Sequence, residues 1–364
     1  MKTLSRNQCN ELRGLAIISI VLHNFVHQTR FGFTSQNESS FDLARTQEFL
    51  GRITDEGFWS AVCEVLSFLG WIGVPVFVFL SGYGLVKKYE QGTTPLKVKD
   101  FILHSWLKLF LLMLPGVLFC ALYHQFTGLG GLHTHLKYAV YLSLLGNLVG
   151  IDTMTPSIYW YFGLTFELYL AYIVLHRFRS KGFLIGCIAV PLLLQLGLVL
   201  GGQDNLVHFN LRNLIGWLPV FCTGIYLGRF EKAGSEDGEK PDRKLSFMFV
   251  LLSYSLIVLC NQAPWSWVFI HFAILVFFYC LVRLFDGLSL IESMFAFVGT
   301  WSSFVFACHP ISRIIVNACR LDSHGLGLGW ELLLYCLLIL ALAPLYKYIV
   351  VKLTQLTSRI HIKS

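Results

Sequence analysis

Apolar runs of about 20 residues recur from one end of this sequence to the other, and a run of that length crosses roughly 30 Å of hydrocarbon as an α-helix. Residues 12–30, 64–86, 102–122, 158–176, 183–201, 212–229, 245–262, 265–284, 294–316 and 328–350 fit the pattern, and 136–149 is a shorter apolar stretch. Hydrophobic residues make up 55% of the chain and charged ones 13%, where a soluble domain carries about a quarter charged. The expectation is an all-α, polytopic integral membrane protein, residues 1–364 forming a single membrane domain with no appended soluble domain.

Loop charge orients the spans, because short cytoplasmic loops collect Lys and Arg. Lys2, Arg6 and Arg13 place the N-terminus inside. After the first span, Glu38, Asp42, Glu48, Asp55 and Glu56 outnumber the arginines and suit the outside, whereas Lys87, Lys88, Lys97 and Lys99 return the chain inward. Counting 136–149 as a full span would push Arg177, Arg179 and Lys181 outward, against the rule. Read as a re-entrant or interfacial piece, it leaves that turn, the linker with Lys232, Lys240, Arg243 and Lys244, and the tail with Lys347, Lys352, Arg359 and Lys363 in the cytoplasm. Ten spans with both termini cytoplasmic result.

Other classes fit less well. The first apolar run lacks a small-residue cleavage site and holds Arg13, His23 and His27, so it reads as a retained helix and not a signal peptide. The ten cysteines lie singly with no C-x-x-C pair, as packing residues do. His133 and His135, with His124 nearby, lack an acidic or cysteine ligand at suitable spacing, and no metal is expected. The net charge of +7 follows from the inside loops, and no basic groove or stripe points to nucleic acid.

Ionisable groups within a span are costly unless they face protein or water, which makes each a functional candidate. In "ELRGLAIISIVLHNFVH" (11–27), Arg13 opens the run, where snorkelling to the interface is a competing role. His23 lies ten residues further on, about 15 Å deeper and near the midplane. In "SIYWYFGLTFELYLAY" (157–172), Glu167 reaches similar depth from the other side, where a carboxylate must find a proton or a partner. A lone histidine is as readily a neutral hydrogen bonder between helices; a buried imidazole together with a buried carboxylate points to proton transfer.

"LRGLAIISIVLH" (12–23), "GVPVFVFLSGYGL" (73–85), "FILHSWLKLFLLMLP" (101–115), "YWYFGLTFELYLAY" (159–172) and "FVGTWSSFVFACHP" (297–310) stand in one order along the chain. In that order they resemble the signatures of the acyltransferase 3 family. Its members are integral-membrane enzymes that move an acyl group, usually acetyl from acetyl-CoA, onto a hydroxyl of a cell-surface glycan or lipid-linked sugar. The resemblance implies acyl-CoA as co-substrate without a metal, a glycan or lipid-linked sugar as acceptor, and a multi-pass protein of a bacterial inner membrane. Membrane lipids are its surroundings, and assembly as a homo-oligomer is left open.

The same resemblance assigns residues. The family's first helix sets a histidine eleven positions after a basic residue, about 20° away around the helix. Here Arg13 to His23 is ten positions, and Asn24 occupies the eleventh. That turns His23 roughly 80° from Arg13 and leaves His27, about 40° off, as a competitor; sequence context and depth favour His23. The family's arginine pair in the third span, held to bind the coenzyme's phosphates, is replaced by His104 and Lys108, an i, i+4 pair on one face. A lysine offers a point charge and not a bidentate fork, so phosphate capture would lean on Arg13 and loop lysines such as Lys87 and Lys88. Ser81, Gly82 and Tyr83 match the family's Ser-Gly-aromatic element, with close helix packing the competing role. Trp160 and Tyr161 match its aromatics ahead of the glutamate, although aromatic belts place such residues at any membrane interface. His309-Pro310 matches the last signature, with a proline kink as the plain alternative.

The expected chemistry is acyl transfer at the midplane. Acyl-CoA approaches the positive cytoplasmic loops, the acceptor comes from the outer face, and His23 acts as general base with Glu167 orienting it or holding the imidazolium. An acyl-histidine relay is equally allowed. The competing classes are a transporter or lipid-sugar flippase, which also needs buried charge and broken helices, and an inactive scaffold.

Overall fold

The computed structural model describes residues 4–27, 41–55, 57–150, 157–230, 242–319 and 327–363. Regular structure among them is helical, with no strand. In chain order the α-helices are α1 (Arg6–Val26), α2 (Leu43–Asp55), α3 (Phe58–Leu69), α4 (Gly73–Tyr89), α5 (Val98–Phe126), α6 (Leu132–Leu142), α7 (Trp160–Arg177) and α8 (Lys181–Leu200). They continue with α9 (Asp204–Arg212), α10 (Leu214–Phe230), α11 (Arg243–Cys260), α12 (Pro264–Trp267), α13 (Ile270–Phe285), α14 (Ser289–Cys319) and α15 (Leu328–Lys363).

Among the described residues six stretches are long and apolar enough to cross a membrane: Phe58–Tyr89, which joins α3 to α4, then α5, α8, α11, α14 and Leu328–Thr357 of α15. The helices α10 and α13 are apolar but shorter. Helices α1 and α7 have 21 and 18 residues, and their ionisable residues dilute the apolar character that length alone would give. The 136–149 stretch is α6, of 11 residues, followed by a 3₁₀ turn at Gly146–Val149; 11 residues rise about 16 Å, half of what a bilayer asks. The acidic segment after the first apolar run contains the regular helix α2, and residues 31–40 lie outside the described ones. Most of the charged linker at 231–244 lies outside them too.

The chain divides into two compact units, one of residues up to Leu96 with Tyr172–Ser302, the other of Lys97–Ala171 with Ser303–Ser364. The division falls within α7 and within α14.

In the first unit α1 packs on α3, α4 and α13, α4 on α10, α10 on α8, and α11 on α13. A capping box starts α1: the Ser5 hydroxyl accepts from the Gln8 N–H at 3.1 Å, and the Gln8 side chain accepts from the Ser5 N–H at 3.1 Å. Without a hydrophobic drive between lipid-solvated helices, close approach comes from small residues. Gly82 of α4 lies against the Phe221 carbonyl of α10, and Gly224 of α10 against the Phe79 carbonyl of α4; a Cβ on either would collide. Gly14 and Gly299 do the same where α1 meets the start of α14, facing the carbonyls of Phe295 and Asn10.

In the second unit α5 packs on α6 and α15. Pro115 sits inside α5, and a proline interrupts the hydrogen-bond ladder of a helix. One turn of that ladder is completed from outside. The Tyr346 hydroxyl of α15 donates to the Leu112 carbonyl at 2.7 Å and accepts from the Gly116 N–H at 3.1 Å. A tyrosine thus stands in the rung that Gly116 would have made with Leu112. Near Pro310 of α14, the Tyr159 hydroxyl donates to the Ala307 carbonyl.

Candidate active site

His23 is 6% exposed and sits at the α1 face that meets the break between α3 and α4. That break is the 3₁₀ turn Gly70–Ile72. Gly70 lies so close that a Cβ there would run into the Cβ and Cα of His23 and the Ser19 carbonyl. The Ser19 hydroxyl closes the contact by donating to the Gly70 carbonyl at 2.7 Å. The histidine backbone is therefore fixed by glycine contact, and its ring is held next to a second one. His23 and His27 stack with centroids 5.1 Å apart and planes 12° from parallel, as i, i+4 placement on a helix allows. Asn24, also buried, turns its amide back to the Ile20 carbonyl at 2.9 Å.

The other expected residues of the first unit occupy ordinary helical positions. Arg13 donates to the Asn10 side chain at 3.0 Å. The Ser81 hydroxyl donates to the Phe77 carbonyl of its own helix at 2.8 Å, and Gly82 serves the α4–α10 crossing. The Tyr83 hydroxyl binds both backbone groups of Leu4, accepting from its N–H at 3.1 Å and donating to its carbonyl at 3.2 Å. Lys87 lies over the Tyr83 ring at 5.0 Å and donates to Gln91 at 2.9 Å; exposed Lys88 lies over the Tyr89 ring at 4.8 Å.

In the second unit, His104 and Lys108 share an exposed face of α5. Trp160 is buried, its carbonyl accepting from the Asn147 amide at 2.8 Å. Glu167 is half-buried, midway along α7. His309 is fully buried, its Nδ1 lying 3.3 Å from the Val305 carbonyl. Of the expected residues, then, the structure brings together His23, Asn24 and His27 on one helix and Ser81 to Lys88 on another. His104, Lys108, Trp160, Glu167 and His309 belong to the second unit.

Among the described residues no three His, Cys, Asp or Glu side chains assemble a metal-binding set. His124 pairs its Nδ1 with the Tyr138 hydroxyl at 3.0 Å, and His135 its Nε2 with Gln125 at 3.1 Å.

A family model described as an acyltransferase domain, of the acyltransferase 3 type, matches residues 10–348. The chain belongs to that family. No curated protein and no solved structure matches it. Membership makes this a membrane acyltransferase, in keeping with its apolar helices.

Two polar clusters of the acyltransferase escaped the sequence reading. Arg229 of α10 forks onto Glu90, just past α4, with Nε to Oε2 and Nη2 to Oε1 both at 2.7 Å and both side chains 5% exposed. The Tyr172 hydroxyl donates to the same carboxylate at 3.0 Å, His176 Nδ1 lies 3.6 Å from it, and Arg229 also donates to the Leu175 carbonyl at 2.7 Å. The second cluster gathers Glu11, Asp286 and Glu292. Glu11 is 3% exposed and accepts from the Asn7 amide. Burial, then the charges of Glu292 and Asp286, push its carboxyl from the usual 4.5 up to about 7, against a smaller lowering by Asn7. Neither cluster has a local motif, because its members come from separate parts of the sequence.

Proposed function

We propose that this acyltransferase moves an acyl group, in the usual case acetyl, from acyl-CoA to a hydroxyl of a cell-surface polysaccharide or lipid-linked sugar, in a ten-span topology with both termini in the cytoplasm of a bacterial cell. His23 is the general base. Its neutral imidazole takes the proton of the acceptor hydroxyl as that oxygen attacks the thioester carbonyl. The carbon–sulfur bond then breaks, and the imidazolium returns the proton to the departing thiolate. Glu167 is proposed as the second proton-handling group, and Arg13, Lys87, Lys88, His104 and Lys108 as the cations that attract the coenzyme's phosphates.

The reading rests on one observation above all: in a chain of acyltransferase 3 type, a buried histidine with a glycine-fixed backbone stacks on a second imidazole. His27 is the partner in that stack and is assigned a supporting place.

The test is mass spectrometry of surface glycans from cells with and without the gene, repeated with His23→Ala and His27→Ala, beside acyl-CoA consumption by the purified protein. The expected result is an acyl mass that disappears with the gene and with His23→Ala, with turnover down by about 10²–10⁴-fold, as for loss of an acid–base histidine. The His27→Ala strain is expected to keep the modification. Retention in the His23→Ala strain and loss in the His27→Ala strain would reverse the assignment. Glycans of identical mass in all strains, with no acyl-CoA consumed, would overturn the reading.

A further inference from the structure

Within the first unit a cavity lies between α8, α9, α10, α12 and α13, beside Gly216 and Pro219 of α10. Gly216 stands about 20 Å along that helix from Arg229. The cavity offers ≈ 10 Å³ to the centre of a water-sized sphere, room for about one water molecule. Three residues that line it each carry a buried polar atom without a hydrogen-bond partner: Gln195 Nε2, Trp267 Nε1 and His271 Nε2. Gln195 and His271 are each 5% exposed and Trp267 1%. Buried polar atoms are as a rule satisfied, and three such residues around one small cavity ask for a common partner.

The donor and acceptor inventory narrows that partner. The indole N–H and the amide NH₂ only donate, whereas an imidazole Nε2 accepts when its proton is on Nδ1. An atom that accepts from Trp267 and Gln195 and donates to His271 is a hydroxyl oxygen. A charged ligand fits poorly, since among the described residues lining the cavity none carries a fixed charge. The His271 ring is itself held, with Trp217 4.7 Å away on one side and Trp71 edge-on at 6.1 Å. Trp217 spends its own N–H on the Leu211 carbonyl at 2.6 Å.

We propose that this cavity is a seat for one neutral hydroxyl oxygen, bound by Trp267 and Gln195 as donors and His271 as acceptor. The oxygen comes from a resident water or from a hydroxyl of a sugar lodged at the outer end of the unit. The second source rests on the topology and acceptor of the proposed function; the first does not.

X-ray radiolytic footprinting of the full-length protein in lipid nanodiscs, read by mass spectrometry, tests the seat, because hydroxyl radicals born from a water held there label the side chains around it. After correction for intrinsic reactivity and for exposure, Trp267 and His271 are expected to label several-fold faster than Met113 and Tyr335, which at 1% and 0% exposure are buried as deeply as Trp267. Labelling of Trp267 and His271 at the rate of those controls would overturn the proposal. Adding methyl α-glucopyranoside then separates the sources: protection of Trp267 marks a sugar hydroxyl, and unchanged rapid labelling marks a resident water. A Gln195→Leu protein that melts like the parent is expected to lose label at His271; undiminished label there would overturn the role given to Gln195. No arm depends on catalysis, so a dry cavity would leave the acyl-transfer reading standing.

Discussion

A methyl group at residue 70 would measure how tightly His23 is held. Gly70 has an ordinary helical φ of −66°, so alanine brings no backbone strain, only the collision with His23 and the Ser19 carbonyl. Overpacking of this kind costs about 1–3 kcal/mol. Gly70→Ala is expected to lower the melting temperature and, by moving the imidazole, to lower transfer more than stability accounts for; an unchanged kcat at full stability would show that the contact does not position the ring. Glu11 gives a pH signature. Its folded carboxyl titrates near 7, above the usual 4.5, so the folded state binds this proton more tightly than the unfolded one. The associated stability is full below about pH 4.5 and is lost as pH rises through 7. Thermal melts from pH 5 to 8 are expected to show that decline, and Glu11→Gln to flatten it. His23 and Glu167 stand out as candidates in the sequence because each interrupts an apolar run. The state of Glu11 was not, because Asp286 and Glu292 reach it from a distant part of the chain.

Helix existence was written in hydropathy, but helix ends and breaks were not. The last two helices begin or continue beyond their apolar runs, α14 as Ser289–Cys319 and α15 to Lys363, since polar residues are compatible with helix once hydrogen-bonded turns propagate. The run expected at 265–284 is two helices, α12 and α13, and the one at 64–86 starts earlier at Phe58 and bends at Gly70–Ile72. The break at Gly70–Ile72 answers to packing: Gly70 must meet His23. Pro115 marked a disturbance in α5, yet nothing nearby in sequence named Tyr346 as the group that completes the ladder. Tyr346→Phe keeps the ring and removes only the hydroxyl, leaving the Leu112 carbonyl and Gly116 N–H without it. Unsatisfied buried groups cost about 1–3 kcal/mol each. The expected outcome is a clear loss of thermal stability, with faster hydrogen exchange at Gly116; parent-like exchange there would show that another group takes over the rung.

Across the molecule, the first unit relies on a buried ion pair that joins distant stretches of chain. Glu90 and Arg229 tie the end of α4 to the end of α10, with Tyr172, His176 and Leu175 of α7 gathered around them. Removing one partner strands a buried charge, which costs about 3–5 kcal/mol. Glu90→Gln and Arg229→Leu are each expected to destabilise the protein strongly, and the double variant Glu90→Leu/Arg229→Leu less than the sum, as a denaturation double-mutant cycle would read. In sequence Glu90 passes as part of a basic loop and Arg229 as the last residue of an apolar run, because only the folded chain sets one opposite the other. The hydroxyl bridge between α5 and α15 carries a different consequence, one of timing. Gly116 and Tyr346 are 230 residues apart; at elongation rates of about 5–20 residues per second, the ribosome needs roughly 10–50 s to cover that distance. Throughout that interval the nascent α5 has to wait in the bilayer with its proline-disturbed turn unrepaired, and a message cut short before codon 346 would leave it so for good.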